Sequence, residues 1–201
     1  MTQERQFINE GKRRMLIEEF LASEFSRAGY SHAEIQRTPL SIRITVFAHK
    51  PGLIIGRGGK NIDAITQVLK ERFGLENPQL DVQEVMDSDL DSEIVAKQIV
   101  AALEKGVNYK RVANFALERV IGAGAVGIAI RISGKIGGDM ARTEKFSSGY
   151  LKYSGEPAER LVQKAYATAN VKLGTIGVQV RILRETPEDI KVVKKLKELG
   201  K

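Results

Sequence analysis

The chain has 201 residues, 42% of them hydrophobic, enough for one large core or two smaller ones. Its 32 Lys and Arg outnumber 25 Asp and Glu for a net charge of +7, a balance suited to a polyanion such as nucleic acid. There is no cysteine, which excludes disulfides and thiolate zinc sites and fits a reducing cytoplasm, and two histidines, His32 and His49, make no metal centre. No apolar run reaches the ~18 residues of a spanning helix and the N-terminus lacks a signal-peptide core, so a soluble intracellular protein is expected, with no membrane association. The charge is uneven. Residues 1–74 hold twelve cations and eight anions, residues 75–105 two and eight, residues 106–183 twelve and five, and residues 184–201 six and four. A single charge run is most often a solvated face, but two basic segments around an acidic one point to an extended anionic partner.

Residues 1–11 are polar and read as extended. Ile17, Phe20, Leu21, Phe25 and Ala28 share a face, which predicts a helix over 12–28 closed by Gly29. Lys12, Arg13 and Arg14 fall at its start, where the helix dipole opposes them; a solvated cluster or a contact with RNA or another partner accounts for them. Strands are predicted over 32–38 and 40–48, the second from Leu40, Ile42, Ile44 and Val46 alternating with Ser41, Arg43 and Thr45. Pro39 between them favours a turn or a sheet edge. Leu53, Ile54 and Ile55 predict a short helix, and Ile62, Ile65, Leu69 and Phe73 a longer one over 60–73, closed by Gly74.

Between those helices lies Gly56-Arg57-Gly58-Gly59-Lys60, with no acid in the loop. Glycines tolerate positive φ and close approach of a ligand to the backbone, and a helix N-terminus offers unpaired N–H groups to an anion. With the Arg57 and Lys60 charges added, the stretch reads as a phosphate cradle. A third strand is predicted over 79–85 from Leu80 and Val82 alternating with Asp81 and Gln83. The order helix, strand, strand, short helix, glycine loop, helix, strand, together with Ile54-Ile55-Gly56-Arg57-Gly58-Gly59-Lys60-Asn61-Ile62, resembles a KH domain of the type II (prokaryotic) arrangement. The resemblance implies that Gly56, Arg57, Gly58 and Gly59 form the loop that clamps the backbone of roughly four nucleotides.

Residues 87–91 read as a linker and helix start, with Ser88 or Asp91 as cap. Helices follow over 92–104, with Val95, Ile99, Ala102 and Leu103 on one face, and over 109–121, capped by Asn108, with Val112, Ala113, Ala116, Leu117 and Val120 inward. Lys110 and Arg111 sit in the first turn of the second, where a bound phosphate would relieve their conflict with the dipole. Gly122, Gly124 and Gly127 spell GxGxxG, but a helix precedes them and an alternating strand (Val126, Ile128, Ile130, Ile132) follows, the reverse of a dinucleotide fingerprint. They read as a helix stop and a tight connection. Residues 134–149 read as a Gly-rich basic loop carrying Lys135, Arg142 and Lys145, with a strand near 146–153 after it. Ser154 to Pro157 is a turn, 162–172 and 176–183 are strands joined at Gly174, and Thr186, Pro187, Glu188 and Asp189 start a final Lys-rich helix.

The stretches Ile132 to Gly138, Ala141-Arg142-Thr143-Glu144 and Leu173 to Val180 resemble the small-subunit ribosomal protein S-three family, in an archaeal form with a short loop after Gly138. The resemblance covers roughly residues 10–184. It implies a place on the head of the small ribosomal subunit, bound to ribosomal RNA beside the channel where messenger RNA enters. In bacterial members a basic cluster on the second helix of the C-terminal domain faces the message; Lys110 and Arg111 occupy two of its positions and Asn114 the third. The expected fold is α+β. A type II KH domain (1–86; three-stranded mixed sheet, helices on one face) precedes a C-terminal domain (87–184; two helices on a mainly antiparallel sheet) and a basic helical tail (185–201). The expected RNA-binding residues are Gly56, Arg57, Gly58, Gly59, Lys60, Lys110, Arg111, Lys135, Arg142 and Lys145. The expected partners are small-subunit ribosomal RNA, messenger RNA and neighbouring ribosomal proteins, in the cytoplasm on the ribosome, with no catalytic residue, metal or cofactor. Two other functions are weighed: a free-standing KH regulator, which leaves the basic region 106–183 unexplained, and a nuclease or lyase on damaged DNA, for which only a lysine nucleophile is available.

Overall fold

The computed structural model describes residues 3–38, 41–75 and 77–184. Pro39, Leu40 and the expected tail helix from Thr186 lie outside the described residues. The chain divides into two compact units, residues 1–86 and 87–201.

In the first unit, helix α1 (Gln3–Glu24) leads through a 3-10 turn (Ser26–Ala28) into strands β1 (Tyr30–Arg37) and β2 (Ile42–Ala48). Helix α2 (Pro51–Ile55), a second 3-10 turn (Arg57–Gly59), helix α3 (Lys60–Phe73) and strand β3 (Pro78–Glu84) follow. The sheet order is β1-β2-β3, with β1 antiparallel and β3 parallel to β2. Ile44 and Val46 of β2 and Leu21, Ile54 and Leu69 of the three helices are fully buried in one core. The other face of the sheet is polar, with Glu34 and Asp81 flanking Thr45 and the His32 ring stacked on Phe47 at 4.4 Å.

Two expectations are corrected at the N-terminus. Residues 3–11 are helical, not extended, and the helix ends at Glu24, its last predicted turn being 3-10 instead. The described side chains up to Leu16 are exposed, so this half of α1 has no apolar face to betray it; its Glu, Gln, Lys and Arg residues are strong helix formers. Lys12, Arg13 and Arg14 therefore sit in mid-helix, away from the unfavourable end of the dipole, and Arg14 pairs with Glu18 at 3.2 Å.

The second unit contains α4 (Ser92–Glu104), α5 (Tyr109–Gly122), β4 (Gly127–Gly134), β5 (Arg142–Gly149), α6 (Glu156–Arg160), β6 (Val162–Val171) and β7 (Gly174–Leu183). The four strands form an antiparallel sheet in the order β5-β4-β7-β6, with α4 and α5 packed on one face. Alternate residues of the two central strands, Ile128, Ile130 and Ile132 on β4 and Val178, Val180 and Ile182 on β7, enter this core. Each is at most 2% exposed, which is worth about 2–3 kcal/mol of apolar burial per side chain.

Asp91 is the cap of α4, accepting from Glu93 N (2.9 Å) and Ile94 N (3.3 Å); Asn108 caps α5, accepting from Lys110 N (3.0 Å). On α4, burial raises the pKa of the Glu93 carboxyl and lowers that of the Lys97 ammonium, each partly offset by the other's charge. Asp91 is 7% exposed and also lies 3.9 Å from the Arg184 guanidinium. Asp91→Ala should cost about 1–2 kcal/mol, read as a lower urea midpoint at unchanged m-value. A midpoint equal to the parent's would show the cap to be idle.

β5 replaces the expected loop over 134–149, and the loop itself shrinks to residues 135–141. β5 is an edge strand. Of its positions facing the helices only Phe146 is apolar, so it is held by the ladder to β4 and not by side-chain alternation. The predicted turn at Ser154 to Pro157 includes the start of the short helix α6. The GxGxxG stretch is a helix stop and tight connection: α5 ends at Gly122 and β4 begins at Gly127.

Candidate nucleic-acid interface

The first candidate surface is the glycine loop. Gly56, Gly58 and Gly59 have φ of 71°, 65° and 78°, all in the region that favours glycine. A side chain at Gly56 would strike Asn61, 2.7 Å from an added Cβ, whereas Gly58 and Gly59 have nothing within 4 Å. The loop backbone is thus pinned on one side and open on the other. Gly56 N donates to Gly52 O (3.0 Å) and Asn61 Nδ2 to Leu53 O (3.4 Å), tying the loop to α2. Gly59 is the N-cap of α3 and supplies no side-chain cap bond, so the helix N-terminus faces the loop without a side-chain acceptor. Arg57 and Lys60 are exposed, and Asp63 in the first turn of α3 is the nearest acid in sequence. This geometry suits an anionic backbone, to which it offers main-chain N–H groups and two cations.

The second surface is the start of α5. Lys110 and Arg111 are exposed in its first turn, and Asn114 is exposed one turn later. The Lys110 ammonium lies 5.9 Å from the Tyr109 ring centroid, and that ring meets Phe146 edge-on at 6.4 Å. The aromatic pair fixes the start of α5 against β5, so these cations belong to the helix side of the unit.

The remaining expected residues do not form one group. Lys135 is exposed in the 135–141 loop, and Arg142 opens β5 opposite Gly134. Lys145 stands opposite Arg131 of β4, on the side of the sheet away from the helices. The sheet therefore separates Lys145 from Lys110 and Arg111. Among the described residues, no group of three or more His, Cys, Asp or Glu side chains is placed to hold a metal, and no helix is long and apolar enough to cross a membrane.

The first unit, with a glycine loop between two helices and a third strand parallel to the second, defines a KH-type nucleic-acid-binding fold, and the KH-domain family model matches residues 16–90. The family model for the C-terminal domain of ribosomal protein S3 matches residues 99–182. Small ribosomal subunit protein uS3 of Methanocaldococcus jannaschii is 48% identical over 90% of this chain and 87% of its own length. The protein of the same name from Methanococcus vannielii is 50% identical over 90% and 86%. That of Natronomonas pharaonis is 48% identical over 96% of this chain but only 64% of its own, longer sequence. The chain belongs to the ribosomal protein S3 family.

Proposed function

We propose that this protein is a structural constituent of the small ribosomal subunit, placed on its head in the cytoplasm, where it binds ribosomal RNA and lines the channel by which messenger RNA enters. The observation that carries the RNA reading is the loop Gly56–Lys60. It combines an open, positive-φ backbone, two exposed cations and an uncapped helix N-terminus inside a KH fold. Relatives bearing the name of a small-subunit protein support the ribosomal setting, with neighbouring ribosomal proteins as further partners. In that setting the protein is a binding scaffold and not an enzyme. Its cations neutralise phosphates and release counterions, which gives affinity with little sequence preference and suits a channel that passes any message.

Lys110 and Arg111 are assigned to the entering message, and Gly56 to Lys60 with Lys135, Arg142 and Lys145 to ribosomal RNA. With Asn114 in the third position, the α5 surface guides single strands by charge alone. In high-salt sucrose gradients the protein should travel with the small subunit; recovery only in the free pool would refute the ribosomal reading. Lys110→Ala with Arg111→Ala should slow translation through a stable message hairpin about threefold to tenfold relative to an unstructured message, equivalent to roughly 1 kcal/mol of lost phosphate contact. Equal slowing on both messages would assign the pair to assembly instead.

A further inference from the structure

The face of the second unit's sheet away from α4 and α5 carries an arrangement that no single stretch of sequence displays. Strand register puts Lys145, Arg131, Gln179 and Tyr166 in one row across β5, β4, β7 and β6. The adjacent row contains Arg181 on β7 beside Lys164 on β6. With neighbouring strands about 4.8 Å apart, the four cations make a diagonal stripe roughly 14 Å wide that touches every strand. None of the outward strand positions is acidic: they include Thr143, Ser147, Ala129, Ser133, Gly177 and Thr168, and at one end, under the segment that follows Gly149, the buried Val162 and Leu183. Among the described residues, none of the four cations forms an ion pair. The comparable face of the first unit's sheet has Glu34 and Asp81 at its centre, so strand positions free of acid are not a general feature of this chain's sheets.

The stripe is organised around an aromatic residue. With its amide oxygen turned toward its neighbours, Gln179 accepts from Tyr166 OH (2.8 Å) and from Arg181 Nη2 and Nε (3.1 and 3.2 Å). The hydroxyl tether leans the Tyr166 ring across the sheet, and the residue is 68% exposed. The Arg181 guanidinium in turn lies 5.8 Å from the ring centroid of Tyr153, itself 63% exposed. An exposed aromatic ring held by a hydrogen bond, amid cations that form no ion pair on a sheet face, matches the physical requirements of a stacking platform for an unpaired base with phosphates alongside.

We infer that this face is a second RNA-binding surface, taking a single-stranded RNA segment with one base stacked on Tyr166 and its phosphates on Arg131, Lys145, Lys164 and Arg181. The inference rests on the RNA-binding reading above and adds to it a surface distinct from the glycine loop and from α5.

The test uses the full chain carrying Arg57→Asp, Gly58→Asp, Lys110→Ala and Arg111→Ala, which removes the other two surfaces. The probe is a fluorescein-labelled oligouridylate of about twelve nucleotides, within the site size of single-strand platforms, with an RNA duplex of the same length for comparison. Adding Arg131→Gln and Lys145→Gln should lower oligouridylate affinity about tenfold near 0.1 M salt and flatten the log–log salt slope by about 1.4, or ~0.7 per lost phosphate contact. Adding Tyr166→Leu should lower it about tenfold with no change in slope, while Tyr166→Phe keeps the ring and most of the affinity. Circular dichroism melts select the folded variants. Failure of the starting variant to bind the oligouridylate, or indifference of its affinity to both sets of changes, overturns the inference. So does a result in which the charge changes weaken the duplex as much as the single strand and Tyr166→Leu does nothing, since the occupant is then a duplex backbone. Failure of the unaltered chain to bind either RNA would instead sink the RNA reading as a whole.

Discussion

Gly127→Ala should destabilise the second unit by about 3 kcal/mol or more, among the largest effects of any single methyl group in this chain. The reason lies in the path between β5 and β6, which occupy opposite edges of the sheet. To pass from one edge to the other, the chain leaves Gly149 and crosses the outer side of β4, with the Tyr150 backbone lying directly over Gly127. A Cβ on Gly127 would overlap the carbonyl and amide of Tyr150, and main-chain atoms cannot swing aside as a side chain does. The facing residue is equally constrained: Gly149 has φ 74° and lies against Val126 O, which accepts from Tyr150 N at 3.0 Å. Gly137→Ala is the control, because nothing lies within 4 Å of its added Cβ; it should stay within about 0.5 kcal/mol of the parent. Urea titration followed by circular dichroism compares the two, and equal midpoints would mean that the crossing segment is loosely held.

Arg57→Asp with Gly58→Asp should lower affinity for a single-stranded RNA of about four nucleotides, the span a KH loop holds, roughly 100-fold near 0.1 M salt. The change replaces one cation by two anions where the loop backbone is open. Gly58 has φ 65° and free space around its Cβ, and Asp tolerates this left-handed region better than most residues, so the unit should still fold. Fluorescence anisotropy reads the affinity and a circular dichroism melt checks the fold. Unchanged affinity in a folded variant would remove the loop from the interface.

The elements best read from sequence are those marked by both caps and period. Asp91 and Asn108 announce α4 and α5, and Ile62, Ile65, Leu69 and Phe73 with Gly74 delimit α3. Elements escaped where burial left no mark. The first half of α1 is exposed, β5 has one apolar residue facing the helices, and α6 hides behind a Gly-Glu-Pro that also spells a turn. The candidate residues suffered from the same blindness. The glycine loop was fully legible because its residues are contiguous. Arg142 and Lys145 looked like members of one basic loop, yet three positions apart on a strand they point to opposite faces. Arg131, Tyr166 and Arg181 are brought together by sheet register alone, which no contiguous stretch of sequence displays.

The parallel pairing of β2 with β3 has a mechanical consequence. The glycine loop sits midway along the connection between these two strands, with α2 leading in from the end of β2 and α3 leading out to the start of β3. In their ladder Ala48 at the end of β2 faces Glu84, while Pro78 at the start of β3 faces Ile42. A force applied at the loop therefore enters the ladder at opposite ends. It loads the inter-strand hydrogen bonds in shear, so that they must yield together, instead of peeling them open one after another from a single end. Were the loop to hold a polymer under tension, the load would run along the β2–β3 ladder and not open it from one end.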